Sequence, residues 1–297
     1  MAIIDDIKLK YKQGTMLMRI IYINIAVFIL LHLLGLIGLL FSAEVLSLFK
    51  WVELSSNPWE VLRKPWTLIT YAFCHTELFH ILFNMLWLYW MGRIFLEYFT
   101  SKQLAGLYVL GALGGAVLFL LAYSFVPAFA TPQSYMLGAS GAVIAIVVAT
   151  AVYSPEYKIG LLFIGMVSLK WVALVTVLID LLSIDTLNNA GGHIAHLGGA
   201  IVGAFYGLMM RRGHDITAPL NACIDGIFSL FSRKKKPSVG NPVGGTAYRG
   251  SSNRTQAKQQ PGESELDRVL AKIKRSGYSA LTDEERDILF SFSKKKN

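Results

Sequence analysis

Cysteine is nearly absent: Cys74 and Cys223 are the whole supply in 297 residues. That excludes a disulfide framework, and no zinc-ligand spacing uses either thiol. There is also no His-Glu-x-x-His run, so the pattern of a zinc metalloprotease is missing. Charged residues make up 16% of the chain, against about 25% in an ordinary soluble domain. Hydrocarbon takes their place: 54% of residues are hydrophobic and the mean hydropathy is +0.49. The apolar residues fall in blocks that end near Met210, and the remainder is polar. The chain therefore reads as one membrane domain followed by a small appended module.

Six apolar blocks stand out, at about 17–41, 77–96, 104–126, 139–153, 171–187 and 192–210. A spanning helix needs about 20 mostly apolar residues, with a range of about 17–25. The first three blocks satisfy this, whereas the fourth and fifth are short or ragged. Ile159–Val167 is also apolar; it either extends the fifth helix or lies at the interface, and Lys170 favours the interface. The first block follows Lys8, Lys10, Lys12 and Arg19, like a signal peptide. It lacks a small-residue cleavage site and is too long for an h-region, so it reads as a first transmembrane helix. The expected fold is an all-α polytopic membrane protein with six transmembrane helices within 17–212.

The net charge is +9, and more than half of the Lys and Arg lie at or beyond Arg211. Cytoplasmic enrichment of Lys and Arg accounts for this balance, and no nucleic-acid partner is expected. Lys8, Lys10, Lys12 and Arg19 place the amino terminus inside. Arg93, Lys102, Lys158, Lys170, Arg211, Arg212 and the run Arg233-Lys234-Lys235-Lys236 then also fall inside, together with the carboxyl terminus. The connection 43–76 is the exception, with Lys50, Arg63 and Lys64 beside Trp51, Trp59 and Trp66. A partly helical interfacial loop would explain that mixture. Under this topology Cys74 and Cys223 lie in different compartments and do not pair.

Helices two, four and six all start from the outer side. His80 lies a few residues into the second, Ser140 opens the fourth, and His196 lies a few residues into the sixth. At about 1.5 Å rise per residue, the three share a layer roughly 10 Å deep. Polar groups in hydrocarbon are expensive, which makes all three functional candidates. Ser140 sits in Gly138-Ala139-Ser140-Gly141. A helix start there leaves the Ser140 N–H as a donor for a developing oxyanion. A serine hydroxyl is a weak nucleophile without an adjacent base, and neutral His196 can serve as that base.

Gly199, Gly203 and Gly207 follow His196 at four-residue spacing. Such a face lets helix backbones approach closely, and packing it on the fourth helix would bring His196 to Ser140. His80 and Asn84 stand at i and i+4 on one helix face, where they could donate to the same oxyanion. His193 and His196 have a metal-like i, i+3 spacing, with His75 and His80 as further nitrogen donors, but no carboxylate or cysteine joins them in the sequence. No metal and no cofactor is expected. Asp180 and Asp185 are the remaining acids worth weighing as a third member that orients His196, and spacing selects neither.

These residues resemble the rhomboid family of intramembrane serine proteases over about 60–210. The motifs occur in order: His80-x-x-x-Asn84, Tyr108-Val109-Leu110-Gly111-Ala112-Leu113-Gly114-Gly115, Gly138-Ala139-Ser140-Gly141 and Ala195-His196-Leu197-Gly198-Gly199. The resemblance implies a Ser–His dyad, with Ser140 as nucleophile and His196 as general base. It also implies oxyanion and substrate contacts from His80, Asn84, Gly138 and Ser140. The implied substrates are transmembrane proteins, cut from an active site facing outward from the bacterial inner membrane. Two departures stand out. The family often has Trp-Arg in the first loop, where this chain has Trp66-Thr67. It often has an aromatic residue four after the serine, stacking on the histidine, where this chain has Ile144.

The remainder divides by composition. Residues 1–16 form a short amino-terminal segment, 213–236 an amphipathic and basic juxtamembrane stretch, and 237–262 a flexible linker rich in Gly, Ser, Pro, Gln and Asn. In 263–297, Leu266, Val269, Leu270 and Ile273 make a helical stripe. Thr282 and Glu285 have the spacing of a capping box. This resembles the helical hairpin that closes some bacterial rhomboids, and docking of a cytoplasmic partner or plain solubility fits it equally. Two competing functions remain: a catalytically silent rhomboid-like protein that binds membrane clients, and a small transporter or metal-handling protein using the histidines.

Overall fold

The computed structural model describes residues 15–40, 49–129, 133–161, 165–184 and 189–231, together with 269, 272, 282, 284 and 285. It divides into two compact units, Met1–Lys234 and Lys235–Asn297. Most of the 1–16 segment, the linker 237–262, most of the 263–297 hairpin, and Asp185 lie outside the described residues.

The first unit is mostly helical. Its long helices are α1 (Met16–Leu40), α4 (Leu78–Tyr98), α5 (Ser101–Phe125), α6 (Ser140–Tyr153), α7 (Leu169–Ser183) and α8 (Ala190–Arg211). Short helices α2 (Pro58–Arg63) and α3 (Thr67–Thr70) lie in the first long connection, and α9 (Ala218–Phe231) follows α8. Among the described residues, α1, α4, α5 and α8 are long and apolar enough to cross a membrane. The outward surfaces of α1, α4, α7 and α8 carry large apolar side chains, including Leu33, Leu36, Phe79, Leu86, Leu178, Leu182, Ile201 and Phe205. A contiguous apolar exterior of this kind suits lipid rather than water.

Helix α6 is the centre of the fold. Every residue from Gly141 to Ala151 is buried, as expected for a helix that is apolar on all sides. Its 14 residues make it about 21 Å long, against a hydrocarbon thickness of about 30 Å. The ragged fourth block of the sequence is therefore a short helix that opens at Ser140. Small residues make the packing around it possible. A methyl group at Gly199, Gly203 or Gly207 of α8 would collide with the backbone oxygen of Gly141, Ala145 or Ala149 of α6. On α5, Gly111 faces Ala142 and Ala145, and Gly115 faces Ala195. Three helices thus meet at backbone distance.

The sequence reading missed two small sheets. Strands β3 (Lys158–Leu161) and β4 (Gly165–Ser168) form an antiparallel hairpin, pairing Ile159 with Val167. Gly165 has φ +92°, the left-handed backbone that glycine adopts without a side-chain clash. Of the two readings of Ile159–Val167, extension of the fifth helix is thus ruled out for the residues of both strands, and the interfacial reading stands as an expectation. Strands β1 (Leu54–Ser55) and β2 (Tyr135–Met136) tie the first long connection to the segment preceding Ser140.

The first connection is tightly built. The Trp51 and Trp66 rings stack 6.2 Å apart at 4°, Trp66 Nε1–H donates to Trp51 O at 2.7 Å, and Lys64 Nζ lies 5.1 Å from the Trp51 ring. Thr67 stands where the family often has arginine; its Oγ1–H donates to Lys64 O at 2.7 Å. In the second unit, Thr282 N–H donates to Glu285 Oε2 at 2.9 Å, and Glu285 N–H donates back to Thr282 Oγ1 at 3.4 Å. These are the two reciprocal bonds of a capping box.

Candidate active site

Helices α4, α6, α7 and α8 each bring one part of a polar cluster into an otherwise apolar interior. From α6 comes Ser140, and from α8 come His193 and His196 one turn apart. His196 Nε2 lies 2.6 Å from Ser140 Oγ. This contact follows from the glycine face of α8: with no side chains at Gly198 and Gly199, the α8 backbone sits directly against α5 and α6 just past His196.

The other nitrogen of His196 is also engaged. His196 Nδ1 lies 2.7 Å from Asp180 Oδ1, and His193 Nδ1 lies 2.9 Å from the same oxygen. Asp180 is only 4% exposed. Of the two acids that the sequence left open, Asp180 reaches His196, and Asp185 lies outside the described residues. The sequence also joined no carboxylate to His193 and His196, and here the fold corrects it. Their donor atoms and that of Asp180 all lie within 4.8 Å of one another, a separation compatible with metal binding. As found, the three are linked by hydrogen bonds. The sequence could not see this because Asp180 lies on a different helix, 13 and 16 positions before the histidines.

Gly138 has φ +125°. A Cβ there would be strained and would lie 3.0 Å from His80 Nε2 and 3.7 Å from Ser140 Oγ. Glycine is thus what allows the His80 ring to approach the serine. Gly138 is not an oxyanion donor in this arrangement, because its own N–H donates to Tyr71 O at 3.0 Å. The Ala139 N–H donates to His75 Nε2 at 3.3 Å, and the His75 and His80 rings meet edge to face at 5.1 Å. His75, completely buried, was weighed in the sequence only as a nitrogen donor to metal; its contact is with the turn before Ser140. Tyr71 and Tyr108 hold the same region: their hydroxyls donate to Ala112 O and Ala72 O, each at 2.7 Å. Asn84 spends one amide hydrogen on His80 O at 2.9 Å, leaving a second to donate.

His80, Asn84, Ser140, Ile144 and Thr176 line a cavity of about 250 Å³ together with the apolar side chains of Phe83, Trp87, Val143 and Val147. A carbonyl placed over Ser140 would thus meet a hydroxyl, the ring of His80, the amide of Asn84 and the Ser140 N–H at the helix start. This is the set that acyl transfer requires: nucleophile, base and donors to the oxyanion. Ile144 presents no ring to His196; among the described residues, the ring contact of His196 is with His193, at 5.8 Å.

Comparison with known proteins gives a consistent result. The Rhomboid domain family matches residues 62–213. A family of unknown function, DUF6576, matches residues 252–295. The RHOMBOID-like protein 12, mitochondrial, of Arabidopsis thaliana is 35% identical over 157 residues, which is 50% of this chain and 47% of that protein. The rhomboid protease GlpG of Klebsiella pneumoniae is 33% identical over 105 residues, 35% of this chain and 34% of that protein. The chain thus spans about half the length of the first relative and about a third of the second.

Proposed function

The chain belongs to the rhomboid family, and from that premise we propose that it is a serine endopeptidase that cuts transmembrane segments of other membrane proteins. The observation that carries this reading is the 2.6 Å contact between His196 Nε2 and Ser140 Oγ at the wall of an apolar cavity. As Ser140 Oγ attacks the scissile carbonyl carbon, His196 Nε2 takes its proton. The carbonyl oxygen becomes an oxyanion, stabilised by the Ser140 N–H, the His80 ring N–H and the Asn84 amide. His196 then gives its proton to the leaving amine, and the acyl chain remains on Ser140. Water, activated by the same base, attacks the ester and frees the enzyme.

The same reading puts six helices across the membrane, both termini in the cytoplasm and the cavity toward the outer face of the cytoplasmic membrane. The positions of Lys and Arg support that orientation. No metal or organic cofactor enters the reaction. The test is cleavage of a transmembrane substrate in proteoliposomes by wild type and Ser140→Ala. Wild type cleaves, and Ser140→Ala does not while retaining its thermal unfolding transition. Turnover by the folded Ser140→Ala protein would overturn the assignment. No turnover by either would favour a silent client-binding protein.

A further inference from the structure

We propose that Asp180 is a positioning residue for His196, so that the Ser–His pair works as a Ser–His–Asp triad. The proposal rests on the protease reading of Ser140 and His196 and assigns a role that the family resemblance, which implies a dyad, does not contain.

The geometry makes a continuous line. Asp180 Oδ1 faces His196 Nδ1 at 2.7 Å, and His196 Nε2 faces Ser140 Oγ at 2.6 Å. An ionised carboxylate only accepts hydrogen bonds. His196 must therefore carry its ring proton on Nδ1, which leaves the Nε2 lone pair aimed at the serine hydroxyl. The opposite tautomer would set two acceptors against each other at Nδ1 and remove the base at Nε2. In triads of this kind, that choice of tautomer and ring orientation is what the acid supplies.

Two further observations point the same way. First, Ile144 stands where the family often stacks an aromatic ring on the histidine, so ring orientation needs another source. Second, Asp180 is placed as no packing residue would be. The buried residues of α7 are Leu169, Ala173 and Asp180, and its other face is large and apolar. An apolar residue at 180 would pack between α7 and α8 without the cost of burying a charge. Two imidazole donors on Oδ1 offset part of that cost, while Oδ2 is buried without a hydrogen-bond partner among the described residues. His193, at 2.9 Å from the same oxygen, gives the carboxylate a second partner besides His196.

The experiment compares full-length wild type with Asp180→Asn, which keeps the shape and removes the obligatory acceptor. Cleavage of a transmembrane substrate is followed with kcat and KM separated, alongside thermal unfolding. The ¹⁵N imidazole signals of histidine-labelled protein are recorded, with His196 assigned by its loss in His196→Gln. In Asp180→Asn, kcat should fall about 10²–10⁴-fold with KM within about threefold and the unfolding transition unchanged. A purely structural residue would leave kcat near wild type in this isosteric variant, or lose activity only together with folding; either result overturns the proposal. The tautomer readout needs no turnover: His196 should be protonated at Nδ1 in wild type, and protonation at Nε2 there overturns the proposal. Wild type without turnover but with the Nδ1 tautomer would instead reject the protease reading and keep the positioning geometry.

Discussion

Asn84 shows how much a single side chain carries at this site. It is 7% exposed, and one of its amide hydrogens already donates to His80 O at 2.9 Å. Only the second hydrogen can reach an oxyanion, so it is one donor among three. Removing one such donor costs about 10²–10³ in rate where it has been measured. Asn84→Ala should slow kcat by no more than that while Ser140 still reacts, and single-turnover kinetics would show it. An unchanged rate would remove Asn84 from the oxyanion site. Gly138 acts differently: with its N–H committed to Tyr71 O and φ at +125°, it provides space for the His80 ring rather than a bond.

Helix packing determines whether these side chains meet. The glycine face of α8 lies against carbonyl oxygens of α6, and α5 closes on both through Gly111, Gly114 and Gly115. Gly199→Leu should push α8 away from Gly141, separating His196 from Ser140. Overpacking of this kind costs about 1–3 kcal/mol. The variant should unfold at lower temperature and lose cleavage, whereas Gly35→Ala, with open space around it, should do neither. A Gly199→Leu protein with wild-type stability and turnover would contradict this packing. The α8 contact was readable from the sequence because four-residue glycine spacing has one geometric meaning. The choice between Asp180 and Asp185 was not readable. Asp180 reaches His196 only once α7 is docked on α8, a long-range contact that spacing along the chain does not show. The β3–β4 pairing was hidden for a similar reason: two strands of four residues are too short for alternation to stand out from helical hydrophobicity.

At the scale of the whole molecule, the proposed reaction requires water and would be set among apolar helices. The two demands are compatible because the polar groups His80, Asn84 and Ser140 share one cavity, while lipid-compatible surface surrounds the rest. A substrate helix must unwind locally to offer its carbonyl to Ser140. Substrates with helix-weakening residues near the cut should therefore be cleaved faster than the same segment made Leu-rich, in a competition assay; equal rates would reject the unwinding step. The central claim, an activated serine inside a membrane domain, is tested most directly by a fluorophosphonate probe. Detergent-solubilised wild type, Ser140→Ala and His196→Ala would be labelled side by side. The account predicts labelling of wild type alone. A well-folded wild type that takes no label, or equal labelling of Ser140→Ala, would contradict it.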